Sequence, residues 1–297
     1  MYDIVFREGQ PQAAVPGGST FNSMISVGRC GIPAFFLSEV GSDRIGKIIK
    51  DFLTYNGVSP ASINTLPGKT PLSLAFLNEN DDAEYSFYRD SYDEHPDFAY
   101  PELEADDIVI FGSFYALNHK VRPQVRRFLE YARSRGAIIY YDINFRSSHV
   151  SEAIKLRSSI LENFEYASIV RGSTEDFQNI FKISDPEKAY EQEVKYHCKQ
   201  MLCTDAEGDI CLFSPNVTKT YQVHKIETVS TIGAGDNFNA GIVFGLLKEG
   251  VSRDGIASIT EEQWNRIIAH GMAFAAEVCQ SLNNSISKEF AKNYGRI

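Results

Sequence analysis

Short apolar runs alternate with amphipathic stretches along most of the chain. The apolar runs lie at 34–37, 107–111, 138–141 and 167–170, and each is followed by a stretch with helical periodicity, most clearly at 43–55 and 121–135. Continuous apolar runs are typical of strands that are buried on both faces of a parallel sheet. The alternation therefore predicts a doubly wound α/β fold, with a mostly parallel central sheet and helices on both faces.

One segment departs from this alternation. Strand-like residues at 72–77 and 85–89 flank a polar stretch, which predicts a β-hairpin. We interpret the hairpin as part of a separate small sheet, a lid that covers a cleft, and a surface hairpin without function is the alternative. The predicted organisation is an α/β core at 14–65 and 99–297, with β lid segments at 1–13 and 66–98.

Composition and charge narrow the classes of function. Hydrophobic residues make up 43% of the chain and charged residues 23%, as in globular proteins. The net charge of −10 disfavours nucleic acid as a partner. No stretch approaches the roughly 20 apolar residues of a membrane helix, and residues 1–10 do not resemble a signal peptide. The five cysteines include no CxxC pair, which favours reduced thiols, and we expect a cytoplasmic protein.

The most informative stretch is 229–241, VSTIGAGDNFNAG. A strand-like stretch at 220–229 precedes a helical pattern from about 234 to 247, which places the glycines at a helix N-terminus. Free amides at such a position bind anions, and small residues let a phosphate approach the backbone. Asp236 beside such a phosphate is suited to accept a proton from an attacking hydroxyl. The alternative is an ordinary acidic residue in the first turn of a helix.

These residues lie within a stretch that resembles a family signature. Residues 230–236 resemble the DTxGAGD motif of the ribokinase (PfkB) family of carbohydrate kinases. Four further segments of this chain resemble the N-terminal signature of that family. They occur in the same order and with the same spacing along the chain as in the family: 16–22, 28–31, 40–46 and 56–58.

The resemblance implies a ribokinase-like fold, ATP and Mg²⁺ as cofactors, and transfer of a phosphoryl group to a sugar. The anion hole implied by the family consists of the amides of Gly233, Ala234 and Gly235. Asp236 is then the base that deprotonates the sugar hydroxyl. Amides that hold the transferring group, together with one base, meet the main needs of phosphoryl transfer.

The sugar side is also represented in the sequence. Gly17 and Gly18 let the backbone approach a ligand, and the Asn22 amide, one turn into a helix from Ser19, can donate to and accept from hydroxyls. The resemblance adds three residues that would contact the sugar, the last two from a D-x-N-x-R segment similar to that of fructokinases: Asp3, Asn144 and Arg146. Strand alternation places Phe87 and Arg89 on one face of the predicted hairpin, so Arg89 is a further candidate for sugar contact when the lid closes, and a solvated hairpin face is the alternative.

On the nucleotide side, the resemblance places ATP against a dispersed set of residues: Ser173, Thr204, Glu207, Gly208, Gly233, Gly235 and Asn283. Residues 173–176 stand where the family has an N-x-x-E motif that organises metal and phosphate. Glu175 and Asp176 are therefore alternative metal ligands. Residues 203–208 resemble the family's TxGAxG loop, with Asp205 in place of a glycine.

Two further departures lead to expectations. Ser230 stands where the family usually has an aspartate that helps to hold a monovalent cation, so we expect weak or absent K⁺ dependence. The family's first strand and its Gly-Glu, which precede the position of Asp3, have no counterpart in this sequence. We expect a version extended by that strand to melt at a higher temperature, because a missing central strand leaves backbone groups unpaired.

These observations predict an ATP-dependent sugar kinase with fructose as the first candidate substrate, and ribose, 2-keto-3-deoxygluconate and nucleosides as alternatives. A weakly active or inactive sugar- or nucleotide-binding relative with a regulatory role is the alternative from another class, suggested by Ser173, Asp205 and Ser230. A Rossmann dehydrogenase is disfavoured because no G-x-G-x-x-G follows an early strand. Lid hairpins of the family often pair across a two-fold axis, and the apolar alternation of Leu72 and Leu74 with Phe76 fits a homodimer through the lid.

Overall fold

The computed structural model describes residues 1–77, 83–90, 92, 95–205, 208–223 and 226–295. The chain divides into two compact units. The first consists of Met1–Pro101, Thr228–Gly241 and Ala273–Ile297, and the second of Glu102–Glu227 and Ile242–Met272.

The strands, in chain order, are β1 (Tyr2–Arg7), β2 (Gln10–Pro16), β3 (Ala34–Phe35), β4 (Ser38–Gly41), β5 (Val58–Ser59), β6 (Ile63–Leu66), β7 (Leu72–Leu77), β8 (Ala83–Tyr88), β9 (Ile108–Gly112), β10 (Ile138–Asp142), β11 (Ile169–Ser173), β12 (Met201–Thr204), β13 (Ile210–Phe213) and β14 (Thr218–Tyr221). The helices are α1 (Ser19–Arg29), α2 (Arg44–Tyr55), α3 (Ser113–Leu117), α4 (Arg122–Ser134), α5 (Ala153–Tyr166), α6 (Thr174–Phe181), α7 (Pro186–Ala189), α8 (Ala234–Lys248), α9 (Glu261–Cys279) and α10 (Lys288–Tyr294). None of the helices formed by these residues is long and apolar enough to cross a membrane.

The second unit is built on a six-stranded sheet with the order β14-β13-β12-β11-β10-β9. Strands β9 to β12 are parallel, and β13 and β14 add an antiparallel edge. All five residues of β10 are buried, so Tyr140 is covered on one face and Tyr141 on the other. A sheet covered on both faces explains the apolar runs at 107–111, 138–141 and 167–170. The run at 34–37 was wrongly predicted as such a strand, because β3 contains only Ala34 and Phe35, pairs with β5 outside this sheet and leaves Phe35 45% exposed. The predicted α/β fold with a mostly parallel central sheet is confirmed.

The core on one face of this sheet combines strand and helix residues. Val109, Ile139 and Val170 from neighbouring parallel strands pack with side chains from α4 and α5, among them Leu129 and Phe164. This packing fixes the strands, and therefore fixes where their carboxyl ends lie.

A four-stranded sheet with the order β2-β1-β7-β8 belongs to the first unit. β7 and β8 form the predicted antiparallel hairpin, and β1 pairs with β7 in parallel. The hairpin is therefore part of a small separate sheet, as expected, and its polar turn at 78–82 lies outside the described residues. The proposed division into a core and lid segments stays a prediction. Two short parallel pairs, β3 with β5 and β4 with β6, complete the strands of this unit.

Helix predictions agree closely with the structure, and some strand predictions were wrong at their ends. The stretch at 43–55 became α2, whose first turn is capped by Asp43 through the Gly46 amide at 2.9 Å. The run at 167–170 was placed too early, because the Ala167 amide still bonds to the Asn163 carbonyl at the end of α5.

The predicted strand at 220–229 was wrong at 222–223 and 226–229, and its residues 224–225 lie outside the described ones. β14 ends at Tyr221, which pairs with Ile210 at the end of the ladder. The amides of Val229 and Ser230 bond instead to the Cys279 carbonyl, at 2.8 and 3.3 Å. Hydrogen bonds to a helix end thus replace the expected sheet ladder before the glycine-rich turn.

Candidate active site

The glycine-rich turn of the first unit leads directly into α8, which begins at Ala234 as predicted. Gly233 has φ 82°, a left-handed conformation that favours glycine. The Ala234 amide donates to the Thr231 carbonyl at 3.2 Å. Within the described part of the chain, the amides of Gly233 and Gly235 have no backbone acceptor. Two of the three predicted anion-hole amides are therefore available to a ligand, and the third closes the turn.

Asp236 lies in the first turn of α8 and is partly exposed. The Asn22 side-chain amide donates to its Oδ2 at 2.8 Å, and the Ser23 hydroxyl donates to its main-chain carbonyl at 2.7 Å. Both donors lie on α1. The beginning of α1 therefore orients the carboxylate, while enough of it stays exposed to meet a substrate hydroxyl.

The glycine pair before α1 lies against Asp3 of β1. A Cβ atom on Gly17 would lie 1.8 Å from Asp3 Oδ2, so only glycine fits at this point. Gly18 has φ 127° and precedes the first residue of α1. Its carbonyl accepts from the main-chain amide of Asn22 at 2.8 Å. The predicted sugar-side residues Asp3, Gly17, Gly18 and Asn22 are thus brought together with Asp236 in the first unit.

Arg89 directly follows β8. In the sheet register Asp3 pairs with Ser73, and Ser73 pairs with Phe87, so all three share one face. The Arg89 guanidinium lies over the Phe87 ring, 5.0 Å from its centroid. The predicted sharing of a face by Phe87 and Arg89 agrees with this contact.

The second unit holds most of the remaining candidates, at and after the carboxyl ends of its parallel strands. Asp142 ends β10, and its Oδ1 accepts from the Arg171 guanidinium at 3.0 Å. Arg171 also donates to the Thr204 hydroxyl at 2.7 Å. Asn144 follows with φ 38°, and Arg146 is exposed. Parallel strands bring their carboxyl ends to the same edge, where α/β proteins bind ligands.

Asp176 and Glu175, the two alternative metal ligands, differ in their surroundings. Asp176 is buried and forms a capping box with Ser173 at the start of α6. Its Oδ2 accepts from the Ser173 amide at 2.7 Å and hydroxyl at 2.9 Å, and its Oδ1 accepts from the Phe145 amide at 2.5 Å. Burial raises the pKa of Asp176, and the charge of Arg171 opposes that shift.

Glu175 is exposed, and its carboxylate accepts a long hydrogen bond from the Asn179 side chain at 3.5 Å. Among the residues that the structure describes, no group of three or more His, Cys, Asp or Glu side chains is arranged to hold a metal ion. Mg²⁺ in kinases is commonly bound through one or two carboxylates together with substrate phosphates. A single exposed carboxylate such as Glu175 fits that pattern better than the capped Asp176.

The loop after β12 carries further nucleotide-side candidates. The exposed Asp205 accepts a hydrogen bond from the Thr174 hydroxyl at 3.3 Å, and its carbonyl accepts from the Gly208 amide at 3.2 Å. Gly208 has φ 129°. Glu207 lies outside the described residues. Asn283 belongs to the first unit and is exposed. Its main-chain amide donates to the Ser281 hydroxyl at 3.1 Å.

Sequence reasoning missed Arg171, Ser23 and Asn237. A charged residue within the apolar run of β11 is a signal that could have identified Arg171, because unpaired charges are rarely buried. Ser23 and Asn237 carry no such signal, since small polar residues are common in helices.

Comparison with known proteins adds the family. The model of the pfkB family carbohydrate kinases matches residues 7–290. The 5-dehydro-2-deoxygluconokinase of Geobacillus thermodenitrificans (strain NG80-2) is 27% identical over 248 residues, which are 78% of this chain and 72% of that protein. The probable fructokinase-6, chloroplastic, of Arabidopsis thaliana is 29% identical over 238 residues, which are 77% of this chain and 61% of that protein.

Solved structures share the fold at low identity. The fructokinase from Vibrio cholerae O395, in its fructose, ADP and calcium ion bound form, has a TM-score of 0.83 at 18% identity, covering 97% of this chain and 92% of that one. The fructokinase with bound ATP from Xylella fastidiosa has a TM-score of 0.84 at 19% identity, covering 99% and 94%.

Proposed function

This chain belongs to the pfkB family of carbohydrate kinases, and we propose that it transfers the γ-phosphate of ATP to a hydroxyl of fructose. The observation that carries the proposal is the start of α8, where Asp236 is held by Asn22 at 2.8 Å, one residue after Gly235. A partly exposed carboxylate next to free helix amides provides a base and an anion site at neighbouring positions.

In the proposed reaction, the sugar lies against Gly17 and Gly18 and its hydroxyls bond to Asp3 and Asn22. Asp236 accepts the proton of the attacking hydroxyl as that oxygen bonds to the γ-phosphorus, while the bond from the γ-phosphorus to the bridging oxygen breaks and ADP leaves. The amides of Gly233 and Gly235 receive the equatorial oxygens of the transferring group, whose charge they stabilise. Arg89, Asn144 and Arg146 are the further residues that we propose for sugar contact.

For the nucleotide, we propose contacts with Ser173, Thr204, Glu207, Gly208 and Asn283, together with the glycine-rich turn. Mg²⁺ would neutralise charge on the phosphates, and Glu175 is the side chain that we propose for it. The departure at Asp205 is compatible with this role, because its carboxylate is bonded to the Thr174 hydroxyl. That contact favours an active kinase over the regulatory alternative.

Fructose is preferred because fructokinases recur among the relatives. The similarity to a 5-dehydro-2-deoxygluconokinase makes sugar acids the main alternative within the family. Arg89 is the residue that would distinguish a sugar acid from fructose. Its guanidinium, on the same face of the sheet as Asp3, binds the carboxylate of a sugar acid more strongly than a neutral hydroxyl of fructose.

We also propose a homodimer through the four-stranded sheet. Along β7, Ser73 and Ala75 are buried, whereas Leu72 and Leu74 are half-buried and Phe76 is 40% exposed. An apolar row on the more exposed face of a sheet favours pairing with a second copy.

The proposed function is tested by ADP release from ATP with Mg²⁺ across a panel of sugars, sugar acids and nucleosides. Wild type and Asp236→Asn are compared. The asparagine oxygen can still accept from Asn22, so the fold should be kept while the base is lost. We expect turnover on one sugar, reduced by about 10²–10⁴-fold in the variant. Asp185→Asn, which changes a carboxylate that caps α7, is the control for the substitution itself and should keep wild-type turnover.

The outcomes separate the hypotheses. Turnover that survives in Asp236→Asn would contradict the assignment of the base. Ligand binding by thermal shift without turnover on any compound would favour the regulatory alternative. Turnover on a sugar acid alone would replace fructose and leave the kinase assignment in place.

A further inference from the structure

Asn237 follows the proposed base, and its side chain is completely buried. The Asn237 Nδ2 donates to the Gly233 carbonyl at 2.8 Å and to the Asn284 carbonyl at 2.9 Å. Its Oδ1 accepts from the Ser26 hydroxyl at 2.5 Å. Both side-chain donors of Asn237 and its acceptor are therefore engaged, which is the condition for a buried polar group to stabilise one geometry.

Ser26 determines how the Asn237 amide is oriented. The buried Ser26 hydroxyl oxygen accepts from the Ile286 amide at 3.1 Å, so its proton is directed to the Asn237 oxygen. With that oxygen held by Ser26, the Asn237 nitrogen must face the two carbonyls. A flipped amide would place its oxygen against two carbonyl oxygens and its nitrogen against a hydroxyl that already accepts.

The partner of this amide is the turn that precedes α8. Gly233 packs so closely there that an added Cβ would lie 3.1 Å from the Asn284 carbonyl oxygen and 3.5 Å from Asn237 Nδ2. The Gly233 carbonyl also accepts from the Asn237 main-chain amide at 2.9 Å. Two donors from one residue thus fix this carbonyl, and with it the peptide plane shared with Ala234, which lies between the free amides of Gly233 and Gly235.

The same side chain connects three segments of the first unit. Ser26 lies on α1 one turn after Asn22, which holds Asp236. Asn284 and Ile286 belong to the segment before α10. The turn is therefore held from the sugar-binding helix on one side and from the C-terminal segment on the other.

We propose that Asn237, oriented by Ser26, is a positioning residue for phosphoryl transfer, which holds the turn Gly233–Gly235 so that its amides face the transferring phosphoryl group. This inference rests on the proposed function, because it assigns the turn to an anion hole. It goes further by naming the side chains that hold the hole in place.

The decisive experiment compares Asn237→Asp and Asn237→Leu with wild type in hydrogen exchange and in steady-state kinetics. The aspartate keeps the shape and the acceptor but loses both donors, and the leucine loses all three bonds. Asn163→Leu is the matched control, since Asn163 is equally buried and bonds to Arg122 within the second unit. It should lower the melting temperature without changing the turn.

We expect amide exchange at positions 234 and 237, whose main-chain amides donate to the Thr231 and Gly233 carbonyls, to rise at least about tenfold in both Asn237 variants, because the turn loses the two side-chain hydrogen bonds that hold it. We expect kcat to fall about 10–100-fold, as for a misplacement of catalytic groups by a fraction of an ångström to 1 Å. The KM for the sugar should stay nearly unchanged. Ser26→Ala should show the same pattern at smaller amplitude, because the amide loses only its orienting donor.

A binding measurement separates positioning from stability without any turnover. ADP with aluminium fluoride, which mimics the transferring group, should raise the wild-type melting temperature more than ADP alone does. The Asn237 variants should keep the shift by ADP and lose the additional shift. Unchanged exchange at positions 234 and 237, or a kcat loss equal to that of Asn163→Leu, would overturn the inference. If wild type turns over no sugar, the proposed function fails, while the exchange measurement still decides whether Asn237 holds the turn.

Discussion

The buried ion pair of Arg171 and Asp142 allows a quantitative prediction about the second unit. The two side chains are 9% and 3% exposed, and their charged atoms are 3.0 Å apart. Burial is the largest single effect and lowers the pKa of Arg171, but the charges of Asp142, Tyr140 and Asp176, together with the hydrogen bond to Asp142, outweigh it, so that this pKa is raised. Asp176 is a second buried carboxylate that interacts with the same guanidinium. One buried cation therefore compensates two buried anions.

Because of this arrangement, removing Arg171 should cost more free energy of unfolding than removing Asp142. Arg171→Met leaves Asp142 and Asp176 without their cation, and breaking a buried pair in this way costs about 3–5 kcal/mol. Loss of the hydrogen bond to Thr204 adds about 1 kcal/mol. Asp142→Asn leaves Arg171 with Asp176 and Thr204, and the amide oxygen can still accept, so we expect a loss of about 1–3 kcal/mol. The double variant should be less destabilised than the sum of the single variants by about 2 kcal/mol or more.

Urea unfolding followed by the fluorescence of Trp264 measures these free energies. Trp264 is the single tryptophan, is completely buried, and belongs to the same unit as the ion pair. A local reporter is needed because a chain of two units need not unfold in one step. The reasoning would be refuted if Asp142→Asn cost as much as Arg171→Met, or if the two effects added within about 0.5 kcal/mol.

The stability of Arg171→Met should also depend on pH. Burial raises the pKa of Asp176 above its unfolded value, and a carboxylate with a raised pKa favours the fold at low pH and disfavours it as pH rises through the folded pKa. Removing Arg171 takes away the charge that opposes this shift. The stability deficit of Arg171→Met should therefore shrink as the pH falls from neutral to about 4, and a constant deficit would contradict it.

Two further predictions concern cation dependence and assembly. Exchange of Na⁺ for K⁺ should change kcat little, because Ser230 has no negative charge and its hydroxyl oxygen accepts from the Ile232 amide at 3.2 Å. A large gain with K⁺ in wild type would contradict this expectation, and Ser230→Asp is the informative comparison. Light scattering should give twice the chain mass of 33.3 kDa, and Leu74→Lys should yield monomers, whereas a monodisperse wild-type monomer would count against the dimer.

The architecture could be predicted from the sequence where burial determines the pattern. All five residues of β10 are buried on a doubly covered sheet, so the strand appears as an uninterrupted apolar run. The error at 167–170 falls at an element end, where one hydrogen bond decides between two structures. Ala167 completes the last turn of α5 rather than starting β11, and no periodicity distinguishes these outcomes.

The candidate site could be predicted only in part. Gly233 and Asp236 combine a conformational requirement with a chemical one, so a short motif is informative. Their supports are not local: the bond from Asn22 to Asp236 joins residues 214 positions apart. Ser26 and Asn237 are separated by 211 positions. Spacing along a chain contains no information about such pairs until the fold brings them together.

The segment 173–176 shows how a local rule and a functional motif can compete for the same residues. Ser-x-x-Asp is a capping sequence that needs only four residues and the helix they begin, and the structure contains that capping box. The family pattern N-x-x-E, applied to the same positions, assigns Asp176 to a metal instead. Both carboxylate oxygens of Asp176 already accept from Ser173 and Phe145, so binding a metal there would require breaking the start of α6. Glu175 does not take part in the capping box. Its exposed carboxylate can therefore bind a metal while α6 keeps its cap.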